Sequence, residues 1–405
     1  MYSKCTIVPS LLFITYPSGV LLMLMYLGLR LLKKAFFATL IFVTVQQTSG
    51  VLVLQLNGDL WTWTGTQPQL IQRTNWGYNQ SPVISPNGKM VAYKSAAQIG
   101  VDVIKKSGSV GREIPSNLWL MDTATGDTVR IADQPPDAAF STSNHADKFI
   151  MRSLPTWSED SKFLAWSQLA TDNSTNMMCQ PQLIIYNIEK KIDTVIIPTL
   201  TFSQCNLPVP PQVQWSESGI AVWSKTVTAD GKGGADALLI FDSEGNLLST
   251  ITVDGLYEFA WMKDGDKEYI GALVKGPSNQ PLDQTQWLLI DPLSGRLFGM
   301  PGTPELYSLS SPGGISLFID SIGVAPEWEI ARPNKSIDKL GNVDDVYAFT
   351  HTLAISPDGQ SIAYVQQGAA YVYSDGKATK IAPSDVSALA WGATGWRVRR
   401  SKIGG

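Results

Sequence analysis

The stretch Pro82-Val83-Ile84-Ser85-Pro86-Asn87-Gly88-Lys89-Met90-Val91-Ala92-Tyr93 reads as a strand, a tight turn and a second strand. The turn has a mechanism. Ser85 can bond to nearby backbone, Pro86 presets φ, and Asn87 and Gly88 tolerate the conformations that finish it. The runs on either side are apolar, β-rich and of strand length. Weaker copies follow. Trp157-Ser158-Glu159-Asp160-Ser161 leads into Phe163-Leu164-Ala165-Trp166, and Trp215-Ser216-Glu217-Ser218-Gly219 into Ile220-Ala221-Val222-Trp223. Further copies start at Trp261, Ser310, Ile355 and Trp391, the last being the poorest.

Each copy is followed by a second hairpin. Leu118-Trp119-Leu120-Met121-Asp122 turns through Thr125-Gly126, Leu238 to Asp242 through Glu244-Gly245, and Trp287 to Asp291 through Ser294-Gly295. Tyr371-Val372-Tyr373 turns through Asp375-Gly376. The unit is therefore four strands, a to d, with a period near 45 residues, which is what a propeller blade requires.

The pattern resembles the TolB-type, WD-repeat-like β-propeller family, whose repeats carry a Ser-Pro-Asp-Gly-Lys turn and an Ile-Ala-Tyr-like strand. Ser85 to Tyr93 and Ser356 to Tyr364 match that pattern well, and the other five copies match it in part. The resemblance implies an all-β propeller over nearly everything after residue 50. TolB-like proteins are envelope components, so it also implies a non-catalytic binding role. Fold alone does not fix function.

Residues 51–400 are the expected propeller. Val51 to Leu56, Asn57-Gly58 and Asp59 to Trp63 form a hairpin signal, with Gln69-Leu70-Ile71 as a d strand and no a strand of their own. Ala388 to Trp391 is an a strand without a blade. The two ends are expected to complete one blade and close a ring of seven, or of six if the copy at Ser310 is not a blade.

Residues 1–50 hold Lys4, Arg30, Lys33 and Lys34 and no acidic residue. Ala35 to Val45 is an apolar run with basic residues before it and Thr48-Ser49-Gly50 after it, the layout of a secretory signal peptide. Two readings stand: a cleaved leader, of ordinary length if Met25 is the start, or a retained membrane anchor. Either implies export, to a periplasmic or extracellular location. Of the whole chain's 31 basic and 35 acidic residues, four cations belong to the leader, so the remainder is acidic. Nucleic acid is not expected as a partner.

Strand alternation puts the a–b and c–d turns on one rim and the longer b–c and d–a connections on the other. Long loops on a rigid scaffold are where binding usually lies, so the second rim is the expected face for a protein or peptide partner. Its candidate residues are Lys105, Lys106 and Arg112 in the Ser95–Ser116 loop, His145, and Arg152. Cys179 and Cys205 fall on the same rim and are a disulfide candidate in an exported chain.

Catalytic motifs are missing: no Gly-x-Ser-x-Gly elbow, His-Glu-x-x-His or Cys-x-x-Cys occurs, and the two histidines are His145 and His351. No cofactor is expected beyond a structural Ca²⁺, and Asp242-Ser243-Glu244-Gly245-Asn246 reads more simply as a turn. The resulting expectation is a non-catalytic scaffold of the cell envelope, not an enzyme. The alternative is a propeller hydrolase or lyase using the central funnel, recognisable by inward His, Asp and Glu side chains converging on a metal.

Overall fold

The computed structural model describes residues 13–15, 21–23, 50–65, 69–108, 110, 113–142, 147–172, 181–196, 210–227, 233–264, 266–274, 286–299, 307–310, 316–319, 328–331, 338–341, 352–392 and 395–398. The chain divides into two units, Met1–Thr48 and Ser49–Gly405. In the first, Phe13–Thr15 pairs with Leu21–Met23. No helix among the described residues is long and apolar enough to cross a membrane. The second unit is built from antiparallel sheets and is a β-propeller.

Its first sheet combines one late strand of the unit with three early ones. Val386–Trp391 lies beside Leu52–Leu56, which pairs with Asp59–Trp63 and then Ile71–Gln72. The register sets Leu52 opposite Trp391 and Leu54 opposite Leu389. The second sheet runs in order Asn79–Ile84, Met90–Ala96, Ser116–Asp122 and Thr128–Ala132. The third contains Lys148–Arg152, Thr156–Trp157, Phe163–Asp172, Gln182–Asn187 and Ile192–Ile196. The fourth contains Val213–Ser216, Gly219–Val227, Gly233–Phe241 and Leu247–Thr252.

The fifth sheet has nine strands, two sets of four joined by Gly395–Val398. That strand runs parallel to Leu256–Asp264 on one side and antiparallel to Tyr307–Ser310 on the other. The sixth sheet covers Leu353–Ile355 to Lys377–Ala382.

Alternation along each strand decides which neighbour it meets, since successive side chains leave opposite faces. In Gln182–Asn187, Ile184 and Tyr186 pack toward Leu118 and Leu120 of the second sheet, while Leu183 and Ile185 pack toward Ile220 and Leu239 of the fourth. Both faces are buried, so these strands read as unbroken apolar runs. The succession continues through Leu238 and Ile240 against Phe259 and Ile270, then Ile330 and Leu340 against Ile355 and Ile362. Leu52, Leu54 and Trp391 of the first sheet meet Ala363 and Val372 of the sixth, and Val53 and Leu60 meet Val91 and Tyr93 of the second.

The repeated turn forms as its residues require. The Ser85 hydroxyl donates to Asn87 Oδ1 at 2.8 Å and accepts the Met90 N–H at 3.0 Å. The Gly88 N–H reaches the Ser85 carbonyl at 2.8 Å, with φ +72°, a conformation glycine adopts without penalty. Ser158 and Asp160 repeat the arrangement at 2.7 Å, with Ser161 in the left-handed position that Gly88 holds.

One expectation is corrected. The span from Ser95 to Ser116 is not simply a loop: it contains a helix, Gln98–Ser107. Ile99 and Val103 of this helix pack with Val110 and Ile114 against Phe140, Phe149 and Met151. Tertiary burial stabilises the helix in spite of Gly100 and several β-branched residues.

Candidate functional site

The turns between the first two strands of the third, fourth and fifth sheets bring four charged side chains together. Glu159 follows Ser158 and Glu217 follows Ser216, the position that Pro86 and Pro357 hold in the full turns. Lys263 ends one strand of the fifth sheet and Glu268 lies near the start of the next. Lys263 Nζ is 3.2 Å from Glu159 Oε1, 3.5 Å from Glu268 Oε1 and 3.7 Å from Glu217 Oε2. One oxygen from each carboxylate lies within 4.8 Å of the others.

The three acids are not equivalent. Glu268 is half-buried, with its side chain 6% exposed, and its other oxygen accepts the Ser218 backbone N–H at 2.8 Å, which ties adjacent sheets together. Glu159 and Glu217 face solvent and share a hydrogen bond. Desolvation and that bond raise the proton affinity of Glu159, although Lys263 opposes the shift. Glu217 is lowered by the bond from Glu159 and by the charge of Lys263. Of the two, Glu159 therefore holds a proton more readily than Glu217. Lys263 is raised: burial opposes its charge, but the three carboxylates outweigh it. Its ammonium occupies the position that a metal ion would need.

The residues expected to form the binding rim are dispersed. Lys105 and Lys106 stand in the last turn of the helix, with Lys105 Nζ 5.9 Å from the centre of the Trp76 ring. Arg152 is 3% exposed and donates to the Ser116 carbonyl at 2.8 Å and the Asp133 carbonyl at 2.5 Å. Burial pushes its guanidinium down to about 10, with Asp133 opposing the shift. Lys94 is also buried, ion-paired with Glu113 and donating to the Arg152 carbonyl at 2.8 Å. Arg112, His145, His351, Cys179 and Cys205 lie outside the described residues. Asp242 accepts backbone N–H bonds from Glu244 and Asn246 at 2.9 and 2.8 Å, so it serves its own turn.

Sheets packed face to face, with this turn chemistry, define the class as a β-propeller. No protein-family model and no curated protein matches the chain. Among solved structures it is similar to the β-propeller domain of the Trilobed protease from Pyrococcus furiosus: 14% identity and TM-score 0.44, covering 76% of this chain and 85% of that one. It is also similar to an acylaminoacyl peptidase from Pyrococcus horikoshii, with 11% identity, TM-score 0.49, and coverage of 82% here and 50% there. Prolyl oligopeptidase B from Galerina marginata gives 11% identity and TM-score 0.42, covering 84% here and 52% there. The chain spans about half the length of these two peptidases.

The expectation of a non-catalytic scaffold, and of a chain that is not an enzyme, is corrected at this point. The similar structures include propeller domains of peptidases, while Glu159, Glu217 and Glu268 converge on Lys263 and not on a metal. Motif searching missed this cluster because its members come from three separate turns. The available signal was the alignment of two repeat copies, each with Glu directly after Ser.

Proposed function

We propose that the chain is a hydrolase acting at the a–b rim of its propeller, with Glu159 and Glu217 as a carboxyl pair sharing one proton. The observation that carries this reading is their convergence beside Lys263 with proton affinities pushed apart. Such a pair suits acid–base chemistry, because one member can take a proton while the other delivers one. The oxygens, within 4.8 Å of each other, are closer than the about 6.5–9.5 Å of inverting glycosidases, and retaining ones, at about 5–5.5 Å, need one carboxylate as an unshared nucleophile. A shared-proton pair acting on one water suits an acyl or amide bond instead.

In the proposed step, Glu217 removes a proton from water as the water oxygen bonds to the carbonyl carbon. The tetrahedral oxyanion forms next to Lys263. The carbon–nitrogen bond then breaks as the Glu159 proton passes to the leaving amine. Peptides are the first substrates to test, in keeping with the peptidases among the similar structures. Purified full-length chain is incubated with a mixed peptide library and the products are read by mass spectrometry. The reading requires new termini with wild type and about a hundredfold less cleavage with Glu217→Gln. Equal cleavage by both proteins, or none by either, rejects it.

The same proposal includes seven blades closed by the chain's own ends. Support comes from the cyclic succession of packed sheets, the pairing of Leu52 with Trp391, and the division of the nine-stranded sheet into two sets of four at Gly395–Val398. The turns at Ser85, Ser158 and Ser356 support a TolB-type repeat. The layout of residues 1–50 supports an exported or membrane-tethered location.

A further inference from the structure

A cleft of about 420 Å³ opens between the second sheet and the segment that enters it from the first. That volume falls within the range of small-ligand sites. Its floor is a face of the second sheet, where Tyr93 stands opposite Trp119, and Trp119 opposite Arg130. The strand positions from Asn117 to Met121 cover about 13 Å, so the cleft is elongated along the strands. Arg73 lies toward the c–d turn, with Nε donating to Thr62 Oγ1 at 2.8 Å and Nη1 3.4 Å from the Thr125 carbonyl. Trp76 lies toward the other end, with Nε1 donating to the Ala96 carbonyl at 3.2 Å.

The charge of the lining is one-sided. Arg73 and Arg130 contribute to it, and among the described residues no carboxylate does. This runs against the balance of a chain with 35 acidic and 31 basic residues. Burial raises the Tyr93 phenol, which keeps the floor uncharged at that point. Arg130 pairs with Asp133 at 2.9 Å, and a guanidinium carries five N–H donors, so one partner does not exhaust it.

Each of the two indoles in the lining has a cation beside it. The Arg130 guanidinium carbon is 5.7 Å from the centre of the Trp119 ring, and Lys105 Nζ is 5.9 Å from that of Trp76. Both indoles are half-buried, and Trp76 is fixed further by meeting Tyr78 edge-on at 5.8 Å.

We infer that this cleft binds a short acidic oligosaccharide, with its rings against the Trp119 and Trp76 indoles and its carboxylates toward Arg130 and Lys105. A uronic acid presents an apolar C–H face with a carboxylate at the edge of the ring, and a chain of them repeats that pairing. The two indole–cation pairs repeat it on the protein. An extended peptide suits this floor less well. The backbone groups of a sheet face are spent on the ladder, so the peptide would find no row of main-chain partners. A nucleic acid strand would run beyond the cleft onto an acidic chain. The inference does not rest on the carboxyl pair, which belongs to turns of the third and fourth sheets.

Calorimetric titration of the full chain tests it, with tetragalacturonate, its methyl ester, tetraglutamate and tetrauridylate as probes. Tetragalacturonate is expected to bind at least about tenfold more tightly than each of the others. Arg130→Gln, at a position whose side chain is 48% exposed, should cut the preference for acid over ester at least about threefold. Trp76→Leu should weaken the acid at least about tenfold with a melting temperature close to that of wild type. If Trp76→Leu does not fold, Arg130→Gln decides alone. Equal binding of acid and ester, tighter binding of tetraglutamate or tetrauridylate, an unchanged preference in Arg130→Gln, or no heat with any probe overturns the inference.

Discussion

Lys263 Nζ lies 3.2 Å from Glu159 Oε1 although 104 residues separate them in the chain. The contact exists because equivalent turns of nearby sheets emerge side by side, so residues with little meaning in one repeat become a cluster in the assembled unit. Replacing Lys263 with Met leaves three carboxylates facing one another. The raised affinity of Lys263 means that its contribution is fully present below its ordinary value and is lost only as pH rises through the raised one. Near neutrality the variant should therefore lose about 1 kcal/mol, after allowance for solvent screening. The loss should shrink below pH 5 as the acids protonate. Urea unfolding at pH 8 and pH 4.5 measures the difference.

Asp122, Asp242 and Asp291 each bind the backbone of their own c–d turn. The first accepts the Thr125 N–H at 2.9 Å, the second the Asn246 N–H at 2.8 Å, and the third the Ser294 N–H at 2.8 Å. These bonds hold all three carboxyls below the usual value. A lowered group stabilises above its unfolded value, and that contribution disappears as pH falls through the folded one. The triple Asp→Asn variant should melt slightly lower than wild type at pH 7 and lose less on acidification below pH 4. Melting curves between pH 2.5 and 7 follow the effect.

Trp157 Nε1 donates to the Val83 carbonyl at 3.0 Å, and Trp261 Nε1 to the Gln214 carbonyl at 3.1 Å, so each indole ties its sheet to the preceding one. Trp157→Phe keeps most of the packing and deletes the bond. A loss of about 1 kcal/mol is expected, against about 3–5 kcal/mol for Trp157→Ala. Denaturant midpoints for the two variants separate bond from volume.

Trp391 is 1% exposed, sits opposite Leu52, and meets Trp63 edge-on at 6.1 Å. Trp391→Ala should cost about 3–5 kcal/mol through the cavity it leaves. Hydrogen exchange should then accelerate in residues 52–56 as well as 386–391, since the two strands share one ladder.

Much of this fold was legible in the chain. Ser85, Asn87 and Gly88 build their turn by hydrogen bonds that their side chains and φ preferences dictate, and Asn57-Gly58 turns as that dipeptide does, with φ of +52° and +74°. Local chemistry of this kind is visible in sequence. The Gln98–Ser107 helix was not, because Ala97 offers no side-chain cap and the helix depends on packing against Phe140 and Phe149. The carboxyl pair was hidden for a related reason. Glu159 and Glu217 are ordinary turn residues singly, and only the packing of neighbouring sheets brings them together around Lys263.

The pH dependence of peptide cleavage tests the central claim most directly. Glu217 must be ionised and Glu159 protonated, so wild-type kcat should rise through the lowered value of the first and fall through the raised value of the second, giving an acidic optimum. Glu159→Gln should abolish the falling limb, and Glu217→Gln should reduce kcat about a hundredfold with little change in KM. A wild-type profile that is flat across this range, or that both variants reproduce unchanged, would contradict the account.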